Sequence, residues 1–255
     1  MIIDIKKTKE NLISWIREWF SKNGNDNTCA ILGISGGKDS TICAALLAEA
    51  LGKDRVIGVL MPNNIQSDIS DSLELVIHLG IKNITINIGS TYNELTTEIE
   101  SKLNASSLDY STTSQYKTNT PARLRMVTLY GVGAMIGNTR VCNTGNLSEA
   151  MVGYTTLYGD FAGDFALLNH LTKSEVVLLG DELDLPKHLV HKAPGDGMSG
   201  KTDEDNLGFT YDELDDYIRN NKEGKNIVLI KSKISQMAFK RRILSLPSFN
   251  QVEFK

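Results

Sequence analysis

Short apolar segments alternate with longer amphipathic segments through the first half of the chain. The apolar segments end at Gly, Pro or polar residues, as buried strands commonly do. They are residues 28–34, 55–61, 83–88 and 139–143. The segments with a helical spacing of apolar residues are 11–20, 40–51, 66–79 and 91–103. This alternation predicts an α/β fold in which helices cover both faces of a parallel sheet.

A polar stretch, residues 104–119, is rich in Ser and Thr and predicts a mobile loop. Thr120 and Pro121 follow it, and this pair is typical of a helix N-cap and the first helical position. The helix that they begin is predicted to continue to residue 136. The C-terminal part of the chain is predicted to be mainly helical, with one Gly-rich loop at residues 192–208.

Composition limits the kinds of protein that this chain can be. It has 255 residues, of which 41% are hydrophobic, so we expect one domain over residues 1–255. A net charge of −4 argues against a protein that covers a nucleic-acid backbone. Three cysteines without metal-binding spacing favour a reducing compartment. The charged N-terminus and the lack of an apolar run of roughly 20 residues predict a cytoplasmic protein with no membrane partner.

The strongest candidate for chemistry lies between the first predicted strand and the next helix. Adjacent glycines allow the backbone to approach an anion, and the N–H groups at the start of the helix point at it. Ser35 and Ser40 add hydroxyl donors, and Asp39 suits a Mg²⁺ ion that bridges phosphates. We refer to this run as the phosphate loop: Gly33, Ile34, Ser35, Gly36, Gly37, Lys38, Asp39 and Ser40.

The phosphate loop does not match a Walker A motif. Asp39 rather than Ser or Thr follows Lys38, and Leu32 stands where that motif has its upstream Gly. The alternative is a simple strand-to-helix turn with Asp39 or Ser40 as a helix cap. A cap accounts for one polar residue but not for the whole run, so we favour an anion-binding loop.

The segment SGGKDS at residues 35–40 resembles the pyrophosphate-binding loop of the N-type ATP pyrophosphatases. Members of that superfamily cleave ATP between the α and β phosphates and activate a carboxylate or carbonyl oxygen as an adenylate. A nitrogen or sulfur nucleophile then displaces AMP. Further segments resemble one family within it, the ammonia-dependent NAD synthetases. They are PARLRM at 121–126, NTGNLSE at 143–149 and GYTTLYGDFAGDFALLNHLTK at 153–173.

This resemblance covers nearly the whole chain. It implies a Rossmann-like fold of the adenine nucleotide alpha hydrolase type, with a five-stranded parallel sheet and a helical C-terminal part. Asp39, Glu149 and Lys173 are the implied catalytic residues, and Asp39 and Glu149 are the implied Mg²⁺ ligands. The implied ATP contacts are the phosphate loop, Thr144, Lys173 and Gly195. The implied contacts of the dinucleotide substrate, deamido-NAD, are Arg123, Leu157, Asp164, Phe239 and Lys240.

Three of these positions depart from the family pattern. Many members have Lys where Leu157 stands, His where Phe239 stands, and Ser or Thr where Gly195 stands. The departures affect substrate and ATP contacts rather than the chemistry. The loop that contains Gly195 resembles a closing lid, although its glycine content is equally typical of a flexible linker.

Several residues have competing interpretations. Asn146 and Glu149 have the spacing of a capping box, so spacing alone leaves a helix cap and a metal ligand equally open for Glu149. We expect the fourth strand beside the first, which would place the turn at 144–149 opposite the phosphate loop. Asp160 and Asp164 would share one side of a helix or lie in a surface turn.

Three cations, Lys38, Arg123 and Lys173, are predicted in the first turn of a helix. A cation there opposes the helix dipole by roughly 0.3–1 kcal/mol, and a bound phosphate reverses that effect. Solvated surface charge is the alternative for each of them.

The reaction implied by the resemblance is a ligation in two steps. The nicotinate carboxylate attacks the α-phosphorus of ATP, and ammonia then attacks the adenylate to give NAD and AMP. A glutaminase domain is not expected in a chain of this length, so ammonia would arrive free or from a separate partner. The resemblance also implies a homodimer, for which the amphipathic segments 11–20 and 120–136 are candidate contacts.

Two other functions remain open at this point. The first is another N-type ATP pyrophosphatase, either a tRNA-modifying enzyme or one similar to GMP synthetase. The acidic net charge argues against the tRNA-modifying enzyme. The second is a nucleotide-binding module without catalysis, which would need neither Glu149 nor the complete SGGKDS run.

Overall fold

The computed structural model describes residues 4–66, 69–192, 202–243, 247–250 and 253. Within these residues, five parallel strands form one sheet in the order β3-β2-β1-β4-β5. The strands are β1 (Cys29–Gly33), β2 (Val56–Leu60), β3 (Lys82–Thr85), β4 (Thr139–Asn143) and β5 (Phe165–Ala166). The predicted fold class is confirmed.

The described helices are longer in the first half of the chain than in the second. In the first half of the chain they are α1 (Ile5–Asn23), α2 (Lys38–Leu51), α3 (Ile69–Leu79), α4 (Gly89–Ala105) and α5 (Ser114–Ile136). In the second half they are α6 (Leu147–Val152), α7 (Lys173–Asp181), α8 (Lys187–Val190), α9 (Asp203–Leu207), α10 (Tyr211–Asn220), α11 (Ile227–Gln236) and α12 (Ala238–Ile243). No helix among the described residues combines the length and the hydropathy that a membrane crossing requires.

The strand order creates a crevice at the centre of the sheet. The chain runs outward from β1 through β2 to β3, and then returns to place β4 on the other side of β1. In open parallel sheets this reversal opens a crevice at the carboxyl ends of the strands, where ligands commonly bind. The predicted position of the fourth strand beside the first is therefore confirmed.

Different helices cover the two faces of the sheet. On one face α1 and α2 pack together, and α1 buries Leu12, Ile16 and Phe20 in the main hydrophobic core. On the other face α5 packs on β1 and β4 and buries Met126 and Leu129. The apolar side of α1 is thus already buried within its own chain.

The start of α5 differs from the prediction. The helix begins at Ser114, inside the stretch predicted as a loop, and Thr113 caps it by accepting a hydrogen bond from the N–H of Tyr116. Pro121 lies within the helix instead of at its first position. The Tyr116 ring packs against Tyr92 of α4, and this tertiary contact stabilises turns that the polar composition alone does not predict.

The C-terminal helices form a separate small core. Val152 of α6 packs there with Phe209, Leu214 and Ile230. This confirms the expected helical C-terminal part. It also places α10 directly against α6 and α7, the two helices that follow the carboxyl ends of β4 and β5.

Candidate active site

A cleft of about 800 Å³ lies at the carboxyl ends of β1 and β4. The phosphate loop forms one wall, and the turn after β4 together with the start of α7 forms the opposite wall. Side chains of α5 and Lys240 of α12 also line it. The predicted crevice is therefore a cavity with room for a nucleotide.

The phosphate loop is organised by hydrogen bonds between near neighbours. The hydroxyl oxygens of Ser35 and Ser40 lie 3.1 Å apart, and the Gly37 N–H donates to Ser35 Oγ at 3.2 Å. The hydroxyls of Ser40 and Thr41 both donate to the Gly37 carbonyl. Gly36 has a φ of 77°, which glycine adopts without strain. The start of α2 lines the cleft, and the N–H groups at a helix start point away from the helix, as an anion site requires.

A buried ion cluster joins the two walls of the cleft. The Lys173 ammonium donates to Asp39 Oδ2 at 2.7 Å and to Glu149 Oε1 at 2.8 Å. The side chain of Lys173 is 7% exposed, and those of Asp39 and Glu149 are 17% and 16% exposed. The three residues that the sequence singled out as catalytic therefore meet at one point, although they come from three separate segments.

Burial changes how these groups titrate. Burial disfavours the charged ammonium of Lys173, but the Asp39 and Glu149 carboxylates outweigh it and hold the pKa of Lys173 well above its usual value. Burial raises the pKa of Glu149 to about 7, against the opposing effect of Lys173. Burial also lowers the pKa of Lys38, and the nearby Lys173 adds to that effect. The cluster is thus poorly hydrated, so its charges act strongly on a bound ligand.

Asn146 links the Asp39 carboxylate to the backbone of Glu149 and accounts for the helix cap that the spacing indicated. Its side chain donates to Asp39 Oδ1 at 3.0 Å and accepts from the Glu149 N–H at 3.0 Å. It is therefore the N-cap of α6. The Glu149 carboxylate bonds to Lys173 and lines the cleft. The spacing thus encodes a helix cap through Asn146, while the Glu149 side chain remains available for chemistry.

The predicted dinucleotide contacts separate into two groups. Lys240 lines the cleft, and its ammonium donates to the carbonyls of Gly153 and Thr155. Burial lowers the pKa of Lys240, and Asp160 opposes that effect. Within the described residues, the lining of the cleft includes none of the remaining four: Arg123, Leu157, Asp164 and Phe239.

Those four residues have other contacts in this structure. Arg123 is exposed, and its Nε donates to the Leu157 carbonyl at 3.2 Å. The Asp164 carboxylate accepts from the Val141 N–H at 2.7 Å and from the Tyr130 hydroxyl at 3.0 Å. The Asp164 side chain is thus hydrogen-bonded to the backbone of β4, and the segment that contains Asp164 is not a helix. Of the two alternatives for Asp160 and Asp164, the shared side of a helix does not form, and the exposed Asp160 lies in a turn where it accepts from the Thr156 N–H at 2.8 Å. Phe239 is 49% exposed.

Lys38 and Lys173 are the first residues of α2 and α7, as predicted. Arg123 lies well inside α5, so its predicted place in a first turn is wrong. The error follows from the incorrect start of that helix. Gly195 lies outside the described residues, as does most of the Gly-rich loop.

Some cleft residues were not singled out from the sequence. Arg125 of α5 lines the cleft, and its Nε donates to the Met61 carbonyl at 3.0 Å. Burial lowers the pKa of Arg125, and Asp160 opposes that effect. Asp203 also lines the cleft, as does Asp160, which the sequence had already paired with Asp164. Arg125 belongs to the PARLRM segment. It lies about one helical turn after Pro121 and next to Met126, both of which are buried, so helical periodicity was a usable signal that Arg125 faces inward.

Comparison with known proteins decides the family. The family model of NAD synthase matches residues 8–254. The chain belongs to the NAD synthase family. An NH(3)-dependent NAD(+) synthetase from Thermococcus sibiricus is 36% identical over 253 residues, which cover 99% of this chain and 91% of that relative.

Solved structures agree with this family assignment. The structure of an NMN synthetase from Francisella tularensis has a TM-score of 0.84 at 32% identity, covering 97% of this chain and all of that one (100%). An NH3-dependent NAD synthetase from Campylobacter jejuni has a TM-score of 0.74 at 28% identity, covering 98% of this chain and 100% of that one. The fold of this NAD synthase family member therefore resembles that of both structures.

Proposed function

We propose that the cleft binds ATP beside the carboxylate of deamido-NAD and joins that carboxylate to ammonia. Family membership and the curated relatives make the chain an NH3-dependent NAD(+) synthetase, a ligase that converts deamido-NAD to NAD at the expense of ATP. The observation that carries the proposed site is the cluster of Lys173, Asp39 and Glu149 beside the phosphate loop.

The phosphate loop is the proposed holder of the pyrophosphate part of ATP. Its backbone N–H groups and the Ser35 and Ser40 hydroxyls are oriented by bonds within the loop. The N-terminus of α2 adds a favourable dipole, and Lys38 adds a positive charge in the cleft. Thr144 faces this loop from the turn after β4, and it remains our candidate for a further ATP contact, together with Gly195.

The residues present fit a Mg²⁺ ion. Asp39 and Glu149 both reach the same ammonium, so their carboxylate oxygens converge on one point. Mg²⁺ commonly takes one or two carboxylates and completes its shell with phosphates and water. In the part of the chain that the structure describes, there is no cluster of three or more His, Cys, Asp or Glu side chains that would hold a metal without substrate. When bound, the ion would supply charge neutralisation for the phosphates.

The protein residues contribute position and charge to both steps. As the carboxylate oxygen of the nicotinate forms its bond to the α-phosphorus, the bond to pyrophosphate breaks and negative charge moves onto the leaving group. The phosphate loop and Lys173 stabilise that charge. Ammonia then adds to the carbonyl carbon and AMP leaves. A well-ordered cleft excludes water that would otherwise hydrolyse the adenylate.

The substrate side of the cleft is proposed around Lys240 and Arg125, which both line it. Arg123, Leu157, Asp164 and Phe239 lie outside the lining of a single chain. We propose that they reach the dinucleotide in a homodimer. Arg123 lies on the outer face of α5, where a second copy would pack. Tyr130, whose hydroxyl donates to Asp164, lies on the same face.

The outer face of α5 carries the apolar surface that such a dimer needs. Val127 is 69% exposed, Tyr130 40% and Met135 93%, and the exposed Leu95 of α4 lies on the neighbouring helix. Exposed apolar side chains that gather on one helix face are a feature of protein interfaces. We expect Val127→Glu to shift the wild-type dimer to a monomer in light scattering coupled to size exclusion. A monomeric wild-type protein would contradict the homodimer.

A second candidate is the same ligation on a mononucleotide. The neighbour with the TM-score of 0.84 is an NMN synthetase, and this chain departs from the NAD synthetase pattern at Leu157 and Phe239. Amidation of nicotinic acid mononucleotide would use the same phosphate loop and ion cluster. It would not need the contacts proposed for the adenylyl half of deamido-NAD.

The test offers purified protein both acids in separate assays with ATP, Mg²⁺ and ammonium, and compares kcat/KM. Formation of NAD with an equal amount of AMP, and a higher kcat/KM for the dinucleotide, is the expected result. A preference for the mononucleotide would establish the second candidate. Formation of neither amide, with ATP still bound, would return the search to other N-type ATP pyrophosphatase substrates.

The cytoplasm is the proposed location. The described cysteines are free, which agrees with a reducing compartment: Cys29, Cys43 and Cys142.

A further inference from the structure

One buried carboxylate outside the cleft bonds to residues next to two of the catalytic side chains. Asp215 of α10 is 6% exposed. Its Oδ1 accepts from the Ser148 hydroxyl at 2.5 Å. Its Oδ2 accepts from the Ser174 N–H at 2.8 Å and from the Ser174 hydroxyl at 2.7 Å.

The two serines are the chain neighbours of catalytic residues. Ser148 comes directly before Glu149, and Ser174 comes directly after Lys173. The oxygen of Ser148 also accepts from the Lys173 N–H at 2.9 Å. A continuous set of hydrogen bonds therefore runs from α10 through the first turn of α6 to the first turn of α7.

Burial raises the pKa of the Asp215 carboxyl, and the hydrogen bonds from Ser148 and Ser174 oppose that effect by favouring the ionised form. The Lys173 and Ser174 N–H groups belong to the start of α7, where the helix dipole attracts negative charge. Ser148 acts as donor to Asp215 and as acceptor from Lys173, so its hydroxyl has one defined direction. A fully satisfied buried network of this kind holds its members in one geometry.

We propose that Asp215 is a positioning residue that sets the placement of Glu149 relative to Lys173. The proposal rests on the proposed function, because it concerns the same ion cluster. Glu149 and Lys173 approach each other to 2.8 Å across two different helices. Asp215 is bonded to both helix starts, so a change in its bonds alters the distance between them.

A second contact between α10 and α7 allows a comparison. It separates the positioning of the catalytic side chains from the anchoring of α10 to the rest of the protein. Arg219, one turn after Asp215, donates to both carboxylate oxygens of Glu175, at 2.9 and 2.6 Å. This pair ties α10 to α7, and its bonds do not include the Ser148 that holds the start of α6. Loss of the Arg219 contact should therefore affect anchoring without displacing Glu149 from Lys173.

The experiment compares the variants Asp215→Asn and Ser148→Ala with the wild-type enzyme. Misplacement of catalytic groups by about 1 Å commonly costs about 100-fold in rate. We expect kcat to fall about 100-fold in Asp215→Asn and about 10-fold in Ser148→Ala, with the KM for ATP changed less than about threefold. Asp216→Asn removes the next carboxylate of α10, which pairs with Lys222 on the surface, and should match the wild type.

Arg219→Lys is the anchoring control, and it should lower Tm while kcat stays within about twofold of the wild type. If Asp215→Asn folds and keeps the wild-type kcat, the proposal is wrong. If Asp215→Asn does not fold, a wild-type kcat in Ser148→Ala overturns it as well. Equal losses of kcat in Arg219→Lys and Asp215→Asn would reduce Asp215 to an anchor. If the wild-type enzyme makes no amide, the proposed function is wrong. This result differs from a failure of the Asp215 proposal, because it is seen in the wild type alone.

Discussion

The two walls of the cleft hold their catalytic side chains by different means. In the wall that contains Asp39, the ordering bonds of Ser35, Gly37 and Ser40 join residues no more than five positions apart. In the wall that contains Glu149 and Lys173, the ordering bonds come from Asp215, 67 positions after Ser148 and 41 after Ser174. The first wall is built by local sequence, and the second depends on a helix near the other end of the chain.

This difference bears on how the site tolerates change. The phosphate loop takes few bonds from distant residues, among them those from Gln66 to the Ser35 carbonyl and from Asn146 to Asp39, so most of its geometry should survive alterations elsewhere. The opposite wall needs α10 packed against α6 and α7, and that packing rests on the small C-terminal core of Phe209, Leu214 and Ile230. Substitutions far from the cleft should therefore affect Glu149 and Lys173 more than Asp39.

The largest expected effect comes from Asp39→Ala, because Asp39 is where the two walls meet. The variant loses a proposed Mg²⁺ ligand and a partner of Lys173. We expect kcat/KM for NAD formation to fall about 1,000-fold. Asp54→Ala, an exposed carboxylate beyond α2, is the matched control. A loss of less than tenfold would contradict the role given to Asp39.

Lys173→Met tests the cluster from the other wall. Removal of the ammonium leaves Asp39 and Glu149 close together without a cation. Breaking a buried pair in this way should lower the free energy of unfolding by about 3 kcal/mol. Urea denaturation measures the change. Added MgCl2 should restore more stability to the variant than to the wild type, because the ion takes the place of the ammonium.

If MgCl2 stabilises Lys173→Met no more than it stabilises the wild type, Asp39 and Glu149 do not share an ion. Lys22→Met is the control, since Lys22 pairs with Glu18 on the exposed side of α1 and its removal should change little.

Arg219→Gln tests the remote support of the second wall without entering the cleft. Glu175 is 2% exposed and Arg219 14%, so loss of their paired bonds should cost about 2 kcal/mol of unfolding free energy. Activity at 25 °C should stay close to that of the wild type while Tm falls. Lys222→Gln breaks an exposed pair and should leave Tm unchanged. A large loss of kcat in Arg219→Gln would mean that both contacts of α10 position the site.

Ser40→Ala should have the smallest effect, because the first wall contains several redundant local bonds. The variant loses the Ser35 contact and the bond to the Gly37 carbonyl, while Thr41 still donates to that carbonyl. We expect a loss of about 1 kcal/mol in ATP binding, equivalent to about fivefold in KM. Titration with ATP measures it. A loss as large as that in Asp39→Ala would show that the local wall is not redundant.

Prediction from sequence succeeded where local pattern decides structure. The first three strands and the helices between them lie close to where periodicity placed them, and β4 at 139–143 matches the predicted range. It failed at the start of α5, because the ring contact between Tyr116 and Tyr92 is tertiary. The misplacement of Arg123 followed from that one error.

The candidate site shows the same division. Asp39, Glu149 and Lys173 were chosen from motifs, and the structure brings them together. Arg123 and Asp164 were chosen in the same way, yet in the single chain they bond to the Leu157 carbonyl and to β4. A motif records that a residue matters but not which neighbours it has, and those neighbours depend on packing.

The phosphate loop, the succession of strands and helices along the chain, and the family could all be inferred from sequence patterns. Each of these rests on residues close together in the chain, where glycine conformation, helix caps and apolar periodicity act. The position of Lys173 between two carboxylates and the bonds of Asp215 to both helix starts depend on tertiary packing. A buried ion cluster forms only when packing removes water and brings distant segments together, and no local pattern encodes that distance.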